Sequence, residues 1–101
     1  MIVPKLTRDR ILNTMTTDMR NVLLHTASEL NELSKELIDA TNESFKHDSI
    51  SVYVSTDRAY RIVSEFADVL VMLVALQDCL QIDSAEIMAD INKVCKRYEQ
   101  Q

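Results

Sequence analysis

The chain has 101 residues, 47% of them apolar and 27% charged, with no glycine, a single proline and a formal net charge of −5. This is the length of one domain, residues 1–101, with room for one modest core. The absence of glycine excludes a P-loop or dinucleotide loop. The lack of regular turn residues excludes a β-sandwich or barrel, and the acidic balance excludes a grip on nucleic acid.

The longest unbroken apolar stretch, Val69 to Leu76, falls far short of the roughly 20 residues that cross a bilayer. Met1-Ile2-Val3-Pro4-Lys5 has no h-region and no small-residue cleavage site, so no secretory leader is expected. Cys79 and Cys95 lack C-x-x-C spacing and read as reduced, packed thiols of a cytoplasmic protein.

Along the chain, Pro4 and Thr7 can start a first helix carrying Leu6, Ile11, Leu12 and Met15, and Thr16-Thr17-Asp18 offers a cap for the next, unless the first helix simply runs on into it. Val22, Leu23, Thr26, Ala27, Leu30, Leu33, Leu37 and Ile38 then keep the spacing of one helical face, ending near Asn42 to Phe45. Between Lys46 and Ser55 the pattern is weak. Ile50, Val52 and Val54 alternate as in a strand, but no second strand exists to pair with them, so a long loop is expected. Ser55, Thr56 or Asp57 caps a third helix running to about Leu80. Asp83 with Glu86 resembles a capping box opening a fourth, whose apolar face is Ile87, Ile91, Val94, Cys95 and Tyr98. The expected fold is all-α, a four-helix bundle, antiparallel where connections are short.

The positions of the acids carry the chemistry. On helix two, Glu29, Glu32 and Glu36 form a stripe well away from the leucine face, with His25 one turn before. On its own that stripe reads as a solvated face. Helix three differs, because Val63 to Leu80 leaves hardly any polar side, and a helix apolar all round is buried. Glu65 and Asp68 at its head are costly to bury unless a cation or donor satisfies them. Four carboxylates converging from facing helices repel one another, and oxygen-only ligands favour Mg²⁺ or Mn²⁺. A di-iron bundle needs two Glu-x-x-His motifs, and the chain has none. Glu36 with Asp39 is an alternative acidic pair.

Ser28-Glu29-Leu30-Asn31-Glu32-Leu33, followed by Ser64-Glu65-Phe66-Ala67-Asp68-Val69-Leu70, resembles the paired E-x-x-E and E-x-x-D of the MazG-like all-α nucleoside triphosphate pyrophosphohydrolases. The likeness continues through Gln81-Ile82-Asp83 and the basic last helix with Lys93, Lys96 and Arg97, covering roughly residues 22–98. The interval between Glu32 and Glu65 is longer than usual for that family, and the surplus falls in the loop from Lys46 to Ser55.

The resemblance implies Mg²⁺-dependent hydrolysis of a nucleoside or deoxynucleoside triphosphate to the monophosphate and pyrophosphate. Glu29, Glu32, Glu65 and Asp68 would hold the metal, with Mn²⁺ as a substitute. Glu29 or Glu32 would orient or deprotonate the attacking water, and Lys93, Lys96 and Arg97 would meet the phosphates. The alternatives are a phosphoribosyl-ATP pyrophosphohydrolase, a dUTPase-like relative, or a non-catalytic helical oligomer acting as an interaction module. A homodimer or homotetramer is expected in every case, because Val69 to Leu76 offers water no polar side over two turns.

Overall fold

Four α-helices follow one another in the computed structural model: α1 (Lys5–Thr14), α2 (Met19–Lys46), α3 (Thr56–Leu80) and α4 (Ser84–Glu99). The structure describes residues 3–14, 18–46 and 54–100, and contains no strand among them. The fold is all-α. The extended piece expected at Ile50 and Val52 lies outside the described residues, as do Thr16 and Thr17 of the expected cap. None of the described helices is long and apolar enough to cross a membrane.

The helix starts follow their capping residues. Asp18 opens α2 by accepting the Arg20 N–H at 3.0 Å, and the Arg20 side chain returns to the same carboxylate. Ser55 opens α3 by accepting from the Arg58 N–H, and Asp83 opens α4 by accepting from Ala85 N–H at 3.0 Å. These are the exposed N–H groups that a helix start leaves without partners. At the end of α3 the chain reverses through Gln81, which takes the left-handed conformation at φ 56°. That conformation usually falls to glycine, and this chain has none. Ile82 N–H donates to Gln77 O at 3.0 Å to close the turn, and Gln77 Nε2 donates to Ile82 O and Ser84 Oγ.

α2 and α3 form the main packed pair, and α1 lies against α3. Arg58 meets Glu43 and Glu36, while Glu65 and Asp68 meet Glu32 and Glu29. Partner numbers on α2 fall as α3 advances, so the pair is antiparallel. Arg8 Nε of α1 pairs with Asp78 Oδ2 of α3 at 3.2 Å.

Among the described residues the buried set is small: Val3, Val22, Ala40, Val69, Met72, Ala75 and Thr26. Thr26 escapes an unsatisfied hydroxyl by donating to Val22 O at 2.7 Å. A single chain therefore covers only one stripe of α3, although the sequence reads as apolar all round. Val63 and Phe66 stay 66% and 54% exposed. No residue of α4 is buried. Cys79 and Cys95 are both free, but Cys95, expected to be packed, is exposed because α4 has no cover.

Candidate metal centre

Glu29 and Glu32 stand one turn apart on α2, and Glu65 and Asp68 one turn apart on α3. The antiparallel pairing brings the two turns face to face. Glu29, Glu65 and Asp68 each offer an oxygen within 4.8 Å of the others. Glu32 is exposed and lies outside that triad, but its carboxyl is within hydrogen-bonding reach of both Glu29 and Glu65. All four acids singled out from the sequence thus meet at one place.

The electrostatics of the cluster are unfavourable without a cation. Burial pushes the Glu29 carboxyl above its ordinary value, and the charges of Glu32 and Asp68 add to this. Glu65 is raised for the same reasons in the same order. The Oε2 atoms of Glu29 and Glu65 are buried and reached by no donor among the described residues. Buried oxygens are ordinarily partnered, and a proton held between the carboxyls, a water molecule or a hard divalent cation can each fill that role. Ligands around Mg²⁺ at about 2.1 Å stand about 3 Å apart in cis and about 4.2 Å in trans, so the triad, whose oxygens lie within 4.8 Å of one another, would draw together to hold one ion. His25 Nε2 lies 3.3 Å from Glu29 Oε1 on the outer side, half exposed, which makes it a neighbour of the cluster.

The alternative pair, Glu36 and Asp39, is already neutralised. Arg58 Nη1 donates to Glu36 Oε2 at 2.6 Å, Arg58 Nε donates to Glu43 Oε2 at 3.2 Å, and Asp39 Oδ2 is 3.8 Å from Arg58. Arg61 approaches Glu36 as well, at 3.6 Å. The Arg58 hydrogen bond holds Glu36 below the ordinary glutamate range. Glu43 is lowered too, by the Ser55 hydrogen bond first and then by Arg58. The acids of α2 therefore divide into an end neutralised by Arg58 and Arg61 and an end whose one recorded basic neighbour, among the described residues, is His25 beside Glu29. Arg58 escaped sequence reading. Its one signal is that Glu36, Asp39 and Glu43 follow at i, i+3 and i+7, a row that needs a counter-charge.

Lys93, Lys96 and Arg97 lie on exposed α4. Lys93 Nζ pairs with Asp90 Oδ1 at 3.6 Å. Among the described residues no ion pair joins any of the three to the acidic cluster, so one chain by itself does not bring them together with Glu29, Glu65 and Asp68. Comparison with protein-family models, with curated proteins and with solved structures finds no match, so the MazG-like resemblance rests on the motifs and their spacing.

Proposed function

We propose that the chain is a Mg²⁺-dependent nucleoside triphosphate pyrophosphohydrolase of the MazG-like kind, cutting its substrate to the monophosphate and pyrophosphate. The observation that carries this reading is the triad of Glu29, Glu65 and Asp68 with two buried, donorless oxygens. Chemistry on a phosphate chain asks for such a site, since the chain has no glycine loop to embrace phosphates.

When bound, Mg²⁺ supplies charge neutralisation for the triphosphate and a lowered pKa for a water molecule. Glu29, Glu65 and Asp68 serve as its ligands, held on two rigid helices. Glu32, exposed beside them, is placed to orient a water or take its proton. Lys93, Lys96 and Arg97 would meet the departing pyrophosphate if the basic end of α4, in this or a second copy, came to border the site. The choice of the α phosphorus comes from the resemblance; the residues themselves argue for metal-assisted phosphate hydrolysis. The reading places the activity in the cytoplasm, in a homodimer or homotetramer assembled through α3, which the exposure of Leu73 and Leu80 supports.

The test joins binding to product analysis. Mg²⁺ with a triphosphate is expected to raise the melting temperature where NaCl of equal ionic strength does not. A panel of triphosphates followed by phosphorus NMR is expected to give monophosphate and intact pyrophosphate. Diphosphate with orthophosphate overturns the reaction assignment. Absence of turnover with every nucleotide favours the non-catalytic oligomer.

A further inference from the structure

One stripe of α2 carries Glu29, Glu32, Glu36, Asp39 and Glu43 at i, i+3, i+7, i+10 and i+14, and the facing stripe of α3 carries Arg58, Arg61, Glu65 and Asp68 at i, i+3, i+7 and i+10. The acidic cluster occupies one end of this seam. At the other end lies a polar cavity of about 270 Å³, walled by Asp39, Asn42, Glu43 and Arg58. Two of these side chains are committed to each other. Glu43 accepts the Ser55 N–H at 3.3 Å through Oε1 and the Arg58 Nε–H at 3.2 Å through Oε2, and Arg58 Nη1 donates to Glu36. Asp39 and Asn42 are uncommitted. Among the described residues neither makes a side-chain hydrogen bond, and the 3.8 Å from Asp39 Oδ2 to Arg58 is longer than one. A braced frame thus offers the cavity one carboxylate and, a turn further on, one amide.

We propose, resting on the hydrolase reading above, that this cavity seats the base of the nucleotide and that Asp39 and Asn42 select guanine. The reach is right. Asp39 follows Glu32 by seven positions and Arg58 precedes Glu65 by seven, so the cavity begins about 10 Å along the seam from the cluster at about 1.5 Å per residue. That is the span from the α phosphate of a nucleotide, across its ribose, to the hydrogen-bonding edge of its base. Between the two ends Glu36 is already neutralised by Arg58 and Arg61, a stretch that an uncharged ribose can cross. The sign of the charge agrees. Arg58 is shared by Glu36 and Glu43, so Asp39 leaves the cavity net negative, which repels phosphates and attracts N–H donors. The donor pattern then decides the base. Guanine alone among the common bases sets a ring N–H and an amino group side by side, the pair that one carboxylate takes with both oxygens. Next to them is a carbonyl, an acceptor for an amide such as that of Asn42. Adenine and cytosine offer one amino group beside a ring nitrogen whose lone pair a carboxylate repels. Uracil and thymine offer one N–H between two carbonyls.

Binding and turnover are measured separately on the full chain. Calorimetric titration in Mg²⁺ compares GMP, IMP, AMP, CMP and UMP, where IMP differs from GMP only in lacking the 2-amino group. Pyrophosphate release from the matching triphosphates gives turnover. GMP is expected to bind about 10–100-fold tighter than IMP, the worth of a hydrogen bond to a charged group, and kcat/KM for GTP over ITP is expected to show a similar ratio. Asp39→Asn is expected to erase the preference for GMP over IMP. It is also expected to gain affinity for xanthosine monophosphate, whose C2 carbonyl accepts from the new amide, and a gain of this kind cannot come from unfolding. Triphosphate turnover with no preference among bases, or an Asp39→Asn that keeps the guanine preference, overturns this inference and leaves the hydrolase reading standing. Guanine-selective binding without turnover of any triphosphate supports the seat and overturns the hydrolase reading alone. If no nucleotide binds and none is turned over, both fall.

Discussion

Crowded, partly buried carboxylates hold their protons longer than free ones, and Glu29 and Glu65 are both crowded and partly buried. A carboxyl whose folded pKa is raised contributes stability while protonated, and that contribution is lost as pH rises through the folded value. For these two glutamates the window opens above the ordinary value of 4.5. Glu36 and Glu43 are lowered, so their contribution is present above that value and is lost as pH falls through their folded pKa. The metal-free protein is therefore expected to melt higher at about pH 5 than at about pH 7.5, and to lose stability again on further acidification. Differential scanning fluorimetry across pH with a chelator checks both limbs. Glu65→Gln or Asp68→Asn removes one of the repelling charges, so either is expected to raise the metal-free melting temperature and abolish the shift with Mg²⁺. A structural ion pair would behave in the opposite way, since removing one partner strands the other. Glu32→Gln should divide the roles differently, keeping most of the Mg²⁺ shift while losing turnover by about 10²–10⁴-fold. The sequence made these four acids visible because Glu65 and Asp68 interrupt an otherwise apolar helix. Arg58 stayed hidden because it stands 22 residues from Glu36, across a loop whose length obscures the register of α2 against α3.

At the scale of the helices, a half-buried guanidinium and a turn without glycine set the frame. Arg58 joins the C-terminal half of α2 to the first turn of α3 through Glu36 and Glu43, with its own side chain only 16% exposed. Among the described residues, Arg58→Met takes the cation partner from Glu43 and Asp39 and leaves Glu36 with Arg61 alone. It is expected to lower the melting temperature well beyond Arg61→Met, whose own side chain is half exposed, as circular dichroism melts of the two variants would show. The second device is Gln81. A residue with a Cβ resists the left-handed region, whereas glycine enters it freely at some entropic cost. Gln81→Gly is accordingly expected to stabilise by about 0.5–1 kcal/mol, measured by urea unfolding. Periodicity and capping residues were enough to read all four helices, since Asp18, Ser55 and Asp83 each accept the N–H that a helix start exposes. The reach of α4 was not readable. Ile87, Ile91 and Val94 define an apolar face, but a face does not say whether its own chain or another covers it.

The whole molecule is a packed α2–α3 pair, with α1 against α3 and α4 left exposed beyond the Gln81 turn. Seven described residues are buried, and the extents of 48 × 37 × 23 Å are those of an opened rather than a closed bundle. A chain of this length has little margin, because net stability is a small difference between large opposing quantities. Leaving Leu30, Leu37, Ile38, Phe66 and Leu73 in water forfeits much of the favourable side. If association supplies what is missing, folding and assembly are one equilibrium, and stability must then depend on concentration. The unfolding midpoint of the wild type is expected to rise by roughly 3 °C for each tenfold increase in protein concentration, the value for a dimer of this size unfolding to two separate chains. Ile91→Glu, if it leaves only monomer, should remove that dependence and melt lower at every concentration. Calorimetry over two decades of concentration measures both. A wild-type midpoint independent of concentration would mean that α2 and α3 hold themselves together without a second copy.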